Sequence, residues 1–275
     1  MVIRSNRRPR MAVIRRARPM VISPSMDGFF DGVRQTPEAI STGTCNLPIL
    51  YYDASQFGVF FRIEIARARA LLEGTSIEPW PVFGAALGAV YVWEYRDSTV
   101  GKYNEIGVGI QARRRGSRPS LVKLGLDMRA QEDQGIWVVN LPVTTEGAFR
   151  AGVDVWGYPK YVSPITTRFD DTGASARLGD EVELSMGRLR GPKKALPVVT
   201  YTGRAQRLIR TVIDVEGQVT LGAASSVKLR VIGDGPTARS IERLGLERAP
   251  KLAAFRTDRF RAILPAGADV GSLVG

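Results

Sequence analysis

Short runs rich in β-branched and aromatic residues, each cut by a turn signal, recur along the chain and leave room for few helices. Such runs read as strands. They cover residues 57–65, 85–95, 104–112, 121–128 and 136–143, then 165–169, 174–178 and 181–186. Later runs at 198–215, 226–232, 252–255 and 259–264 read the same way. Three stretches read as helices. Residues 66–73 end at Gly74, and a segment capped by Thr144 or Thr145 runs to Trp156. Residues 236–248 carry proline near the first turn, with Ile241, Leu244 and Leu246 inward. No fixed-period repeat and no interior linker appears. The expectation is one β-dominated α+β domain over residues 21–275.

The segment AGVDVWGYPK, residues 151–160, is the most specific local signal. Glycine commonly ends a helix, and a residue before proline is pushed toward extended geometry. Lys160 is therefore expected at a rigid corner among Trp156, Tyr158, Tyr161 and Val162. A lysine surrounded by aromatic rings is a setting for the neutral amine that imine-forming chemistry requires. The plainer reading of the same residues is a surface lysine in a turn.

The strand at 104–110 gives a second signal. Ile106, Val108 and Ile110 share one face by period two, and Glu105, Gly107, Gly109 and Gln111 share the other. Two glycines beside a glutamate leave open volume next to a carboxylate, as a cavity wall needs. A solvated face is the alternative.

Composition narrows the chemistry. The chain has no histidine, which removes Ser-His and Cys-His nucleophile pairs and histidine-based metal sites. Proton transfer then falls to carboxylates, lysine, tyrosine or water. The single cysteine, Cys45, has no metal-ligand spacing around it and fits a reducing cytoplasm. No phosphate loop is present, and Gly107-Val-Gly109 lacks the third glycine of a dinucleotide site. No cofactor and no metal are expected. No run of 18 apolar residues marks a membrane helix.

The net charge of +12 is unevenly placed. Seven arginines lie within residues 1–18, and removing them leaves +5 for the remainder. Residues 1–20 read as a basic extension without a core-forming pattern or ordered contacts. Three readings fit it: a nucleic-acid-binding arm, a transit-like segment, or upstream coding before a start at Met11 or Met20. The body carries no aromatic-basic surface, so nucleic acid is not the expected partner.

Residues 97–110 and 152–160 together resemble the acetoacetate decarboxylase superfamily. Its members carry an imine-forming lysine in a Gly-x-x-x-x-Gly/Ala-Tyr/Phe-Pro-Lys segment, matched here from Gly152 to Lys160. They also carry an active-site glutamate in a Tyr-x-Glu-x-Gly context, matched by Tyr103-Asn-Glu105-Ile-Gly107, 55 residues upstream of the lysine. The resemblance implies a cone-shaped β-barrel with flanking helices, a homo-oligomer, and lyase chemistry on a small oxo acid through a Lys160 iminium. Decarboxylation and aldol–dehydration share that intermediate. A neutral lysine beside a second cation is the established behaviour of this family, for which acetoacetate decarboxylase is the standard example. Here the second lysine's position is Tyr161, and the second acidic position near Val90 holds no acid. Glu94 lies four residues on and shares that strand face.

These correspondences give Lys160 and Glu105 as catalytic candidates, with Glu105 moving protons. Tyr158 or Tyr161 is the candidate for polarising a hydroxyl, with Trp156 and Glu94 as further pocket residues. Arg62 is the candidate for carboxylate contact, its alternative being a solvated strand arginine. Loss of the second lysine also motivates a different class, a ligand-binding barrel without turnover.

Overall fold

The computed structural model of the protein describes residues 28–82, 84–118, 133–195 and 197–275. The expected extension at 1–20 and the expected strand at 121–128 lie outside the described residues. The chain forms two units, Met1–Val33 and Arg34–Gly275. In the first, the described part is the turn at 28–33. Every helix and strand among the described residues lies in the second unit.

Its elements in order are β1 (Thr36–Ile40), β2 (Gly43–Leu47), β3 (Ile49–Ile63), α1 (Ile65–Leu71), β4 (Ile77–Pro79), β5 (Ala86–Ser98), β6 (Tyr103–Arg114) and β7 (Gln134–Asn140). Then come α2 (Glu146–Trp156), β8 (Ile165–Asp170), β9 (Gly173–Leu178), β10 (Val182–Gly187), β11 (Lys193–Lys194), β12 (Val198–Arg204) and β13 (Arg207–Glu216). Last are β14 (Val219–Gly222), β15 (Lys228–Val231), α3 (Pro236–Leu244), β16 (Lys251–Leu264) and β17 (Ala268–Ser272). Of the described residues 56% are strand and 12% helix, so the β-dominated α+β class holds.

The strands close on themselves. The path β16–β3–β5–β6–β7–β12–β13 returns to β16 through the pairing of Asp214 with Ile263. Within this ring only β7–β12 is parallel. A separate four-stranded sheet runs β15–β10–β9–β8.

Period two explains how both faces of the ring strands are buried. Phe57, Val59 and Phe61 of β3, Val90 and Val92 of β5, and Ile106, Val108 and Ile110 of β6 all join one core. The small sheet meets them with Leu178 and Leu184, and α3 meets them with Ile241 and Leu244. The alternate residues, including Tyr91, Trp93, Tyr95 and Glu105, face inward onto a cavity. A strand buried on both faces reads as a near-continuous apolar run, which is why β5 and β6 were legible.

Three expected boundaries move. The single strand expected at 198–215 is a hairpin, β12 paired with β13 down to Arg204 opposite Arg207. Its two-residue turn is Ala205-Gln206, both with positive φ, 48° and 63°. Tight hairpin turns favour glycine, asparagine or aspartate there, and none marks this one. Conversely, residues 252–255 and 259–264 belong to one strand, β16, whose register shifts between Thr257 and Phe260. The polar Thr257-Asp-Arg259 insert is an irregularity within the strand rather than its end. The last helix stops early at Leu244, because Gly245 turns left-handed at φ 69°. Leu246 is nevertheless fully buried beyond it. Among the described residues, no helix is long and apolar enough to cross a membrane.

Candidate functional site

Helix α2 aims the lysine segment. Thr145 caps its start, accepting from the Ala148 amide at 3.4 Å. Gly157 ends it in the left-handed conformation at φ 69°, and the Tyr158 amide folds back to the Gly152 carbonyl at 3.1 Å. Pro159 then extends the chain. The Leu141 amide donates to the Pro159 carbonyl at 3.1 Å, and the Val143 amide to the Tyr161 carbonyl at 2.9 Å. Val143 also bridges Glu105 on its other side. One short segment, 141–144, therefore holds the backbones on either side of both Lys160 and Glu105, with the Ile106 amide on the Pro142 carbonyl and the Thr144 amide on the Asn104 carbonyl, each at 3.1 Å.

The side chains meet. Lys160 Nζ donates to Glu105 Oε2, and the two side chains are only 5% and 7% exposed. The ammonium group lies 5.8 Å from the ring centres of Tyr103 and of Tyr158. The Tyr95 hydroxyl donates to Glu105 Oε1 at 3.4 Å. The Tyr51 and Tyr103 hydroxyls share a hydrogen bond of 2.9 Å, and those of Tyr158 and Thr200 one of 2.8 Å. Burial raises all four tyrosines above the ordinary phenol range, Tyr158 to about 12. They act as neutral hydroxyls at physiological pH.

The cavity around this pair has a volume of about 100 Å³, and every strand of the ring contributes to its lining. Glu105 and Lys160 are the only Asp, Glu, Lys or Arg among the described residues that line it. The glycine face of β6 does line the cavity, but the volume left by its missing side chains is partly taken. A Cβ on Gly109 would lie 2.5 Å from Ile136, and one on Gly107 3.0 Å from Trp93. Neighbouring strands have filled the gap that the sequence suggested was open.

The structure brings four sequence candidates together: Lys160, Glu105, Tyr158 and Trp156 all line the cavity. Trp156 is held by its indole N–H on the Pro265 carbonyl at 2.9 Å. Three candidates lie elsewhere. Tyr161 points away, its hydroxyl 2.9 Å from Glu181 and 2.8 Å from Thr237. Residues adjacent in an extended chain face opposite ways, so Lys160 and Tyr161 cannot both enter the cavity. Glu94 shares the face of Val90 as expected, but that face is the outer one; it accepts from Thr167 at 2.8 Å. Arg62 is exposed on β3. The sequence reading also missed Tyr51, Gln56, Tyr91, Trp93 and Tyr95, which line the cavity. The period-two run Tyr91-Val-Trp93-Glu-Tyr95 was their signal, once paired with the Glu105 face of β6.

The fold and site define a closed ring of strands around one buried lysine–carboxylate pair. The sequence model of the acetoacetate decarboxylase family matches residues 35–189, more than half of the chain, and the chain belongs to that family. Solved structures agree. An acetoacetate decarboxylase from Legionella pneumophila superposes with a TM-score of 0.60 at 15% identity, covering 82% of this chain and 88% of that one. A second acetoacetate decarboxylase structure gives 0.62 at 18% identity, covering 82% and 90%. The enduracididine biosynthesis enzyme MppR gives 0.57 at 16% identity, covering 82% and 91%. At these identities the likeness establishes the fold alone. No curated protein matches the chain.

Proposed function

We propose that this chain is a Schiff-base-forming lyase that acts on a small oxo acid through Lys160. The observation that carries the reading is the contact of Lys160 Nζ with Glu105 in a largely apolar cavity with no other charged lining group among the described residues. Family membership supports an enzyme of this type.

The contact supplies a route for each proton. Lys160 passes a proton to Glu105, and the free amine adds to the ketone carbon. The carbinolamine oxygen takes the proton back from Glu105 and leaves as water, giving an iminium on Nζ. The bond to the carboxylate then breaks, its electron pair moves into the iminium, and carbon dioxide leaves a neutral enamine. Decarboxylation consumes one proton, which Glu105 takes from solvent and hands to the enamine carbon. Water then releases the ketone and regenerates the lysine. The same enamine can attack an aldehyde instead. MppR has been solved with a condensation product of pyruvate and an aldehyde, which keeps the aldol branch in view.

A second reading has its own observation. Tyr161 occupies the second lysine's position and points out of the cavity, so among the described residues no second cation lines the cavity beside Lys160. That arrangement fits a binding ring without turnover.

Borohydride reduction separates the two. The enzyme reading expects a stable adduct on Lys160 with at least one small oxo acid between pH 5 and 9, found by peptide mass spectrometry. Absence of any adduct across a panel of oxo acids leaves the binding reading.

A further inference from the structure

We propose that Gln56 holds the carboxylate of the oxo acid, through the N–H bonds of its amide rather than through a positive charge. This rests on the Schiff-base reading above.

Gln56 lies on β3, is only 3% exposed, and lines the cavity. Its Oε1 accepts from the Trp93 indole N–H at 3.0 Å. An indole N–H can only donate, so Trp93 fixes which end of the amide faces it. The other end, Nε2, carries two N–H donors and has no partner among the described residues. A buried donor without a partner is costly and rare. In a cavity wall it is a group awaiting a ligand's oxygen.

The strand register says where that donor stands. Gln56 pairs with Trp93 across β3 and β5, and Trp93 pairs with Glu105 across β5 and β6. The three form a row on the inner face. Adjacent strands are about 4.8 Å apart, so the backbones of Gln56 and Glu105 are separated by roughly 10 Å. A substrate whose carbonyl sits at Lys160 beside Glu105 can therefore reach toward Gln56 with its other end.

The chemistry favours a carboxylate at that end. Lys160 is consumed as the imine, and no other lysine or arginine lines the cavity among the described residues. An amide also suits the reaction. A bidentate guanidinium would stabilise the charge that has to depart, and stabilising the ground state opposes the chemical step. A neutral amide orients the carboxylate while leaving its charge weakly held.

The test measures half-saturating concentrations for borohydride trapping at Lys160. It uses 3-oxobutanoate, 4-oxopentanoate and 5-oxohexanoate, each against 2-pentanone, 2-hexanone or 2-heptanone. The proteins are wild type, Gln56→Leu and Gln56→Glu. The acid-to-ketone ratio for the best-fitting length should rise about tenfold or more in Gln56→Leu, the weight of a hydrogen bond to a charged group. It should rise further in Gln56→Glu, where a carboxylate faces the substrate's. Gln56→Glu keeps an acceptor for Trp93, so the test survives if the leucine variant fails to fold. A ratio within twofold of wild type in both variants, at every length, overturns the proposal. If no carbonyl compound traps even in wild type, the Schiff-base reading alone has failed. Gln56 is then judged by calorimetry with butanoate, which has the carboxylate and no ketone. Binding weakened about tenfold in the variants supports the proposal. Equal affinity in all three proteins, or no binding to any, overturns it.

Discussion

Gly152 stands directly against the methylene chain of Lys160: a Cβ at position 152 would lie 2.2 Å from Lys160 Cε and 2.4 Å from Cδ. The hydrogen at that position of α2 is what makes the slot through which the lysine reaches Glu105. Gly152→Ala should fold, since alanine is favoured over glycine inside a helix by about 1 kcal/mol and the lysine chain can swing aside. The amine would then leave Glu105. The expected outcome is a folded protein with a lower melting temperature, because breaking the buried pair costs about 3–5 kcal/mol and outweighs the helix gain, with imine trapping reduced at least tenfold. Full trapping in a folded variant would show that the slot is not needed.

Glu105→Gln removes the proton acceptor and keeps its shape. A general acid or base contributes about 10²–10⁴-fold, so steady-state turnover should fall by that much. The variant leaves Lys160 without its buried counter-charge. Breaking such a pair costs about 3–5 kcal/mol, so a lower melting temperature should accompany the loss. Unchanged turnover would remove Glu105 from the mechanism.

Lys160→Arg preserves the charge beside Glu105 but supplies a group that cannot be neutral in a protein. The variant should fold, pair with Glu105 and form no borohydride-stable adduct at position 160. Intact-mass measurement after reduction checks this. An adduct count equal to wild type would place the reactive amine elsewhere.

Tyr161 and Tyr158 should separate cleanly. Tyr161→Phe removes bonds to Glu181 and Thr237 outside the cavity. It should lower stability by about 1–3 kcal/mol and change the trapping rate less than threefold. Tyr158→Phe alters the cavity wall and should change the trapping rate more. Denaturant melts alongside trapping rates measure both. The reverse ranking would return Tyr161 to the site.

The cavity tyrosines also set the alkaline limit of stability. Their folded-state ionisation is raised by burial above the ordinary value of 10, to about 12 for Tyr158. The native state therefore keeps protons that the unfolded chain releases, and stability falls with pH wherever that holds. This contribution is complete below pH 10 and is lost progressively from pH 10 to about 12 and beyond. Phenolate absorbance should rise together with loss of circular dichroism in that window. Tyr51, Tyr95 and Tyr103 ionising near pH 10 in a fully folded protein would contradict the burial described here.

By itself the sequence determined the class of fold and the two residues that meet. The period-two runs of β5 and β6 specify strands whatever surrounds them, because alternation is a local property of the chain. Gly157 and Pro159 likewise encode a stop and a corner locally, so the exit of Lys160 from α2 was legible. Tertiary structure decided the rest. Which face of β5 is inward depends on its pairing with β6, so Glu94 looked like a pocket residue and Trp93 did not. The small sheet β15–β10–β9–β8 claims the Val90 face, which sends Glu94 outward. Tyr161 is drawn off by Glu181 and Thr237, distant in sequence. Gln56 has no local motif at all; it joins the site only because β3 and β5 pair in a register that sets it opposite Trp93. Pairing between distant strands carries no signature in either strand alone, and here it is what turns an alternating pattern into a cavity wall.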